Sequence, residues 1–531
     1  MCPFKGRCPK LNAYSIYNLF IMKQIISDTN KRLTKNTIFL YVRMFLVMGV
    51  ALYTSRIVLD SLGEMDFGIY NIVGGVIGMF GFLNSSMTAS TQRFLIFELG
   101  RNNQKGVKRI FSLSLQTHAI ISLILVLIAE TIGLWFLYNK LIIPQDRFEA
   151  ALWVYQCAVV STVILIMSVP YNALIIAHEK MSAFAYISIL EVLLKLGVVF
   201  FLYHWEGDKL VIYAILLLIV QGVVRLIYGI YCRRNFKAYK YSFVKDGQGM
   251  KELFFFAGWN LMGNFAGISF VQGTNIILNV FLGPLINAAR GISLQVTNAL
   301  NQFSINLQMA LNPQITKSYA ANNLDYMRKL ICVSSKYTGY LLFIVCFPVC
   351  LEIDYILKLW LGDNIPEYTS SFIILSVIAT GIDSISNSVM VAANATGRIK
   401  KYQMITSLCL LSMLPLGYLV LFCGGSPISV MILSIIVAFI TMIVRVILVN
   451  SMIGLSVFEY LRESVLKLML VASVAIIIPS YCRYCLNQTF YSFVLVVILS
   501  LCSSVFFIYV LGLNHLERNM IKKYIENFQK K

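Results

Sequence analysis

The chain has 531 residues, 58% of them hydrophobic and 13% charged, with a mean hydropathy of +0.76 and a formal net charge of +20. A soluble domain carries about a quarter charged residues, so these figures exclude a soluble globular protein and point to a chain held almost wholly in a lipid bilayer. The positive balance does not point to nucleic acid, because Lys and Arg collect in alternate connectors, the pattern of a polytopic membrane protein rather than of a basic patch.

A helix needs about 20 apolar residues to cross the hydrocarbon core, and by that ruler the sequence predicts about 14 spans. A polar, basic segment, 1–35, comes first. Met22 opens Met22-Lys23-Gln24-Ile25 just ahead of Asn30-Lys31-Arg32 and reads as a natural start, with 1–21 a mis-called extension. Finding Cys2 or Lys5 in the mature protein would refute that. No cleavable signal peptide is expected.

Six spans follow, at 36–59, 67–91, 108–137, 148–177, 181–203 and 210–232. The first holds Arg43 and Arg56, the latter one turn before Asp60. The fifth holds Lys195 one turn after Glu191, and the sixth holds Arg225 near its end. A basic linker, 233–252, leads to six more, at 253–282, 287–313, 330–351, 370–394, 402–422 and 428–450. Asn260, Asn264 and Asn275 form a stripe on the seventh span. The eighth carries two stripes at helical spacing: Asn287, Gln295, Asn298, Gln302 and Asn306, and then Arg290, Thr297, Asn301 and Gln308. Two last spans, 465–481 and 490–511, lie in the segment 451–511, before a basic tail, 512–531. Clusters such as Arg233/Arg234/Lys237/Lys240 alternate with acidic connectors such as Glu206/Asp208, which places both termini in the cytoplasm.

The first and seventh spans begin about 217 residues apart, a period that suggests a repeat. Leu62-Gly63 matches Leu282-Gly283, Asn102-Asn103 matches Asn322-Asn323, and Asn172 and Ala177 match Asn387 and Ala392. The expected fold is an all-α polytopic membrane protein of two pseudo-symmetric six-helix bundles, 36–232 and 253–450, plus two C-terminal helices. Six spans per bundle make the repeat parallel, about an axis along the membrane normal, and place a substrate path between the halves.

Unsatisfied amides are costly in hydrocarbon, so the stripes of the eighth span face protein or water. Singly, each Asn reads as glue between helices, whereas the eighth span as a whole reads as lining a water-filled cavity. A charge in mid-membrane costs about 2.5–3.5 kcal/mol and needs a reason. Asp60 and Glu191 supply one for Arg56 and Lys195, and snorkelling supplies one for Arg225 and Arg445. Arg43 and Arg290 have no local partner and are the leading candidates to line the path. Carboxylates are scarce within the spans (Glu130, Glu191, Asp383), which favours an anionic cargo over a cation. An enzyme is not expected. His118, His178, His204 and His515 are scattered, no metal-ligand spacing or nucleophile elbow is present, and Cys482 and Cys485 lack further ligands.

The text from Asn30-Lys31-Arg32 through Tyr53-Thr54-Ser55-Arg56 to Leu62-Gly63 and Phe67-Gly68-Ile69-Tyr70 resembles the multidrug/oligosaccharidyl-lipid/polysaccharide exporter superfamily. Within it, the chain most resembles Wzx-type flippases of O-antigen and capsule repeat units. That resemblance implies transport of an undecaprenyl-diphosphate-linked oligosaccharide across a bacterial inner membrane by alternating access. It implies lipid as surroundings, polysaccharide polymerase and other assembly proteins as partners, no cofactor, and a coupling ion, Na⁺ or H⁺, left open. Arg43 and Arg290 would hold the diphosphate, with Lys195, Arg56 and Arg225 in reserve. Two other readings remain open: a cation-coupled drug or metabolite exporter of the same fold, and a non-transport component or enzyme of polysaccharide assembly.

Overall fold

The computed structural model describes residues 36–50, scattered positions from 53 to 73, and residues 81–139, 143–282, 284–362, 365–515 and 517–519. Among the described residues there is no strand. The long helices are α1 (Asn36–Val50), α2 (Gly81–Gly100), α3 (Gln104–Asn139), α4 (Gln145–Ala177), α5 (Met181–Tyr203), α6 (Lys209–Asn235) and α7 (Gly247–Leu282). They continue with α8 (Pro284–Ala320), α9 (Leu324–Leu351), α10 (Thr369–Thr396), α11 (Ile399–Phe422), α12 (Pro427–Ile453), α13 (Val457–Cys485) and α14 (Phe490–Gly512).

Eleven of these helices, α3–α7 and α9–α14, are long and apolar enough to cross a membrane. The count of about fourteen is not reached on that measure. Only 36–50 of the first span is described as a continuous helix. Helix α2 carries a run of Ser, Thr and Asn, and α8 is too rich in amides. The other differences lie at boundaries. Helix α8 runs from Pro284 to Ala320, through Pro313, where the expected span stopped. Proline there removes one backbone donor, which packing on both sides tolerates.

The repeat is visible in the turns. Asn102 and Asn322 adopt left-handed backbone, with φ of 56° and 57°, a conformation that Asn accepts more readily than most residues. The next residues cap the following helices: Asn103 accepts from the Gly106 N–H at 3.0 Å and Asn323 from the Tyr326 N–H at 3.2 Å. Glu179, between α4 and α5, and Gly397, between α10 and α11, are likewise left-handed.

Helix α4 packs on α2, α3 and α6, and α5 on α6. Helix α8 packs on α9 and α10, α10 on α12, and α11 on α7 and α12. These two sets, each with its own buried apolar clusters, meet where α2 crosses α7 and α8. The approach is close at Gly100, where a Cβ would stand 2.6 Å from the Ala320 Cβ. Helices α13 and α14 lie against α9, held by Ser464 donating to the Cys332 carbonyl at 3.0 Å and by the buried Lys336 paired with Glu517 at 2.6 Å. Helix α3 widens into a π-turn at Ala129–Gly133. The Ala129 carbonyl accepts the Leu134 N–H across this turn and a second bond from the Tyr155 hydroxyl at 2.7 Å, and that hydroxyl fills the space a side chain at 133 would need.

Candidate functional site

The α2–α3, α4–α5, α6–α7, α8–α9 and α10–α11 turns share one end of the molecule, rich in Lys and Arg. Hydrogen bonds, an ion pair and ring contacts join the two sets between this basic end and the midpoints of α7 and α8. Glu179, whose side chain is fully buried, pairs with Lys317 at 2.5 Å and accepts from Gln314 at 2.8 Å. Its backbone carbonyl accepts from Asn36 at the start of α1. Across the interface, Arg93 of α2 donates to the Asn394 and Ala395 carbonyls at the end of α10, at 3.2 and 3.3 Å. Its guanidinium sits among Phe94, Phe97 and Phe256, 4.5–5.4 Å from their centroids. Phe94–Phe256 and Phe97–Tyr319 ring contacts continue the seal. Nearer mid-membrane, Tyr41 donates to the Phe303 carbonyl at 2.9 Å, and Asn264 donates to Ser85 at 3.1 Å and Ser86 at 2.8 Å.

Helix α8 separates its two stripes. Arg290, Thr297 and Gln308 are buried against α10, joined by Asn301. Ser384 donates to Asn301 at 2.9 Å, Gln308 donates to the Ser384 carbonyl at 2.8 Å, and Asn387 donates to Gln308 at 2.6 Å. These amides are helix-to-helix glue. Gln295, Asn298 and Gln302 are exposed, about a third of a turn away from that face. Asn306 is instead buried, donating to the Gln302 carbonyl. The backbone of Asn287 is helical, and its side chain lies outside the described residues.

Arg290 is 5% exposed and has only neutral described partners: it donates to Asn275 at 3.2 Å and to Ser376 at 2.6 Å. Asn275 in turn donates to the exposed Gln272. A buried guanidinium held by amide and hydroxyl oxygens is solvated without being neutralised. Arg43, half-buried on α1, stacks over Phe184 at 4.8 Å, and its Nε is buried without a hydrogen-bond partner. Lys195 pairs with Glu191 at 2.7 Å, as the spacing suggested, and Gln221 also reaches Glu191.

The other candidates are placed elsewhere. Asn260 is buried, donating to the Phe256 carbonyl and accepting from Gln403 of α11 at 3.3 Å. Asn264 is spent on α2. Arg225 lies 3.9 Å over Tyr171 beside a separate hollow under the α6–α7 linker. Arg445 does not snorkel: it is buried and turns to Asp383 and Ser386 of α10, both at 2.6 Å. Arg56 lies outside the described residues. Sequence reasoning passed over Arg93, Glu179, Gln314 and Lys317. Only their places beside repeat-related turns could have marked them.

In the linker, the Gly249 amide, then Arg109, hold the Asp246 carboxyl below its usual range. At the opposite end, Asp208 is also held low, where Arg147 and the amides of Val211 and Leu210 outweigh the upward push of burial.

The model of the polysaccharide biosynthesis protein family matches residues 33–319, more than half of the chain. The chain belongs to this family. None of the curated proteins matches it. The fold is that of transporters of the MOP superfamily. A MATE crystal structure in the bent conformation superposes with a TM-score of 0.68 at 12% identity, covering 84% of this chain and 97% of that one. The outward-facing conformation of a multidrug resistance MATE family transporter gives 0.65 at 13%, covering 80% and 96%. A MOP superfamily transporter from Pyrococcus furiosus, described as having a binding pocket of reverse polarity, gives 0.65 at 12%, also covering 80% and 96%. Family and fold together make this a multi-pass membrane protein of the flippase and exporter kind.

Proposed function

We propose that the protein flips an undecaprenyl-diphosphate-linked oligosaccharide from the cytoplasmic to the outer face of a bacterial inner membrane, for surface polysaccharide assembly. Two lobes, α1–α6 and α7–α12, rock about their contact and expose the path to each side in turn. The observation that carries this reading is the open amide stripe Gln295–Asn298–Gln302 on α8, lying beyond a sealed basic end. Amides suit sugar hydroxyls, since each both donates and accepts.

The unneutralised Arg290 and the half-buried Arg43 supply charge for a diphosphate, and Gln272 and Asn275 extend the donor set around Arg290. Membership in a polysaccharide biosynthesis family supports a glycan cargo. A cation-coupled exporter fits less well, because Asp383 and Glu191 are both engaged by cations and Glu252 of α7 sits at the basic mouth.

The test is transport of lipid-linked oligosaccharide in liposomes, paired with complementation of a deletion strain. Arg43→Ala with Arg290→Ala should abolish surface polysaccharide, while Arg→Lys at both positions should retain part of it. Wild-type polysaccharide levels from the double Ala variant would remove the diphosphate assignment. No transport by the wild type in liposomes would remove the flippase reading.

A further inference from the structure

Beside Arg93 the basic end holds a cavity of about 650 Å³, framed by the end of α2, the start of α7 and the α10–α11 turn. Its wall is aromatic, from Phe255, Phe256 and Trp259. Its rim is cationic, from Arg398, Lys400 and Lys401, with Glu252 the acidic residue of the lining. The three rim cations are exposed and make no described ion pair, and Lys400 lies 5.6 Å over the Trp259 ring.

A second hollow, of about 500 Å³, shares Phe255 and Trp259 and runs along α7 from Lys251 past Gly258 to Met262. A Cβ at Gly258 would meet nothing within 4 Å. The eleven steps of helix from Lys251 to Met262 rise about 16 Å, the scale of an acyl chain. A net-positive chamber therefore opens into an apolar trench along the helix axis.

We infer that this is a site for an anionic membrane phospholipid, its phosphate between Arg398, Lys400 and Lys401 and one acyl chain along α7. A phosphate at the rim would find three unneutralised donors, and the trench excludes a head without a tail. None of the candidate path residues, Arg43, Gln272, Asn275, Arg290 or the Gln295–Asn298–Gln302 stripe, lines the chamber, which favours a resident lipid over cargo. The position gives it a task. Arg93, which clasps the α10 carbonyls, is part of the same lining, so an occupied chamber braces the closed basic end. None of this depends on what the protein transports.

Trp259 provides the readout. The purified full-length protein in detergent is titrated with brominated phosphatidylglycerol and with brominated phosphatidylcholine, and Trp259→Phe identifies the signal of that ring. The anionic lipid should quench Trp259 at a mole fraction on the order of a hundred-fold lower. Each interfacial cation contributes roughly five-fold toward anionic lipid, so Arg398→Gln with Lys400→Gln and Lys401→Gln should erase the preference. Equal quenching by the two lipids, or a preference that survives the triple substitution, overturns the site. Displacement of the quencher by inorganic phosphate alone overturns the lipid requirement. Displacement by a polyprenyl diphosphate at lower concentration than by unlabelled phosphatidylglycerol overturns the assignment to a resident lipid.

Discussion

Two turns related by the internal repeat close the basic end, and they are held by different chemistry. At the α4–α5 turn the left-handed residue is Glu179, a buried carboxylate that reaches across to Lys317 and Gln314. At the α10–α11 turn it is Gly397, which has no side chain to offer. There Arg93 reaches the other way, to the carbonyls just before it. One clasp is an ion pair between a fully buried carboxylate and a lysine that is a quarter exposed. The other is a cation shared between backbone oxygens and aromatic faces, able to slip by degrees. Equivalent positions in a duplicated fold have thus acquired clasps of unequal stiffness, and the ion-pair side should set the threshold for opening.

Breaking the stiff clasp should have the largest effect. Lys317→Met leaves Glu179 buried without its cation, a loss of roughly 3–5 kcal/mol for such a pair. A Gln302→Cys reporter in a cysteine-free background should then label many times faster with a thiol reagent added on the side of the basic end. Unchanged labelling would mean that the pair does not hold the gate. Arg93→Gln removes two charge-assisted bonds, worth about 1.5–3 kcal/mol in total if they act as one unit, and should give a smaller increase in the same assay.

The repeat itself can be tested at its symmetric caps. Asn103→Ala and Asn323→Ala should each cost about 1 kcal/mol, with similar shifts in the thermal unfolding midpoint. A large inequality would show that the matching turns carry different loads. The smallest effect concerns pH. Because Asp246 and Asp208 are held below their usual range, their stabilisation is present above the unfolded carboxylate pKa. It is lost as pH falls through the folded value. Thermal stability should therefore drop on acidification below about pH 4, and less so in Asp246→Asn.

The apolar periodicity made most of the helices legible, because a bilayer imposes one length on every crossing. It also found α8, read as a span at 287–313, although α8 is too rich in amides to qualify as apolar: a helix shielded by its neighbours need not be apolar. The amide stripes were legible as stripes, but spacing alone could not say that Asn301 and Gln308 would be consumed by Ser384 and Asn387 while Asn298 and Gln302 stayed open. The Asn102-Asn103 and Asn322-Asn323 pairs were visible because a left-handed turn followed by a cap restricts residue choice at both positions. Arg93 and Glu179 were not, since these partners lie 135 to 302 residues away, beyond any local pattern. Arg445 looked free to reach the interface only because Asp383 is distant in sequence.

The crossing of α2 and α8 offers a practical handle. Gly100 and Ala320 touch so closely that any larger side chain at 100 would act as a doorstop. It would prop the two sets apart at their base and bias the protein toward the shape least favoured at rest. A Gly100→Val protein would give crystallographers and inhibitor screens the opposite stroke of the machine, held still.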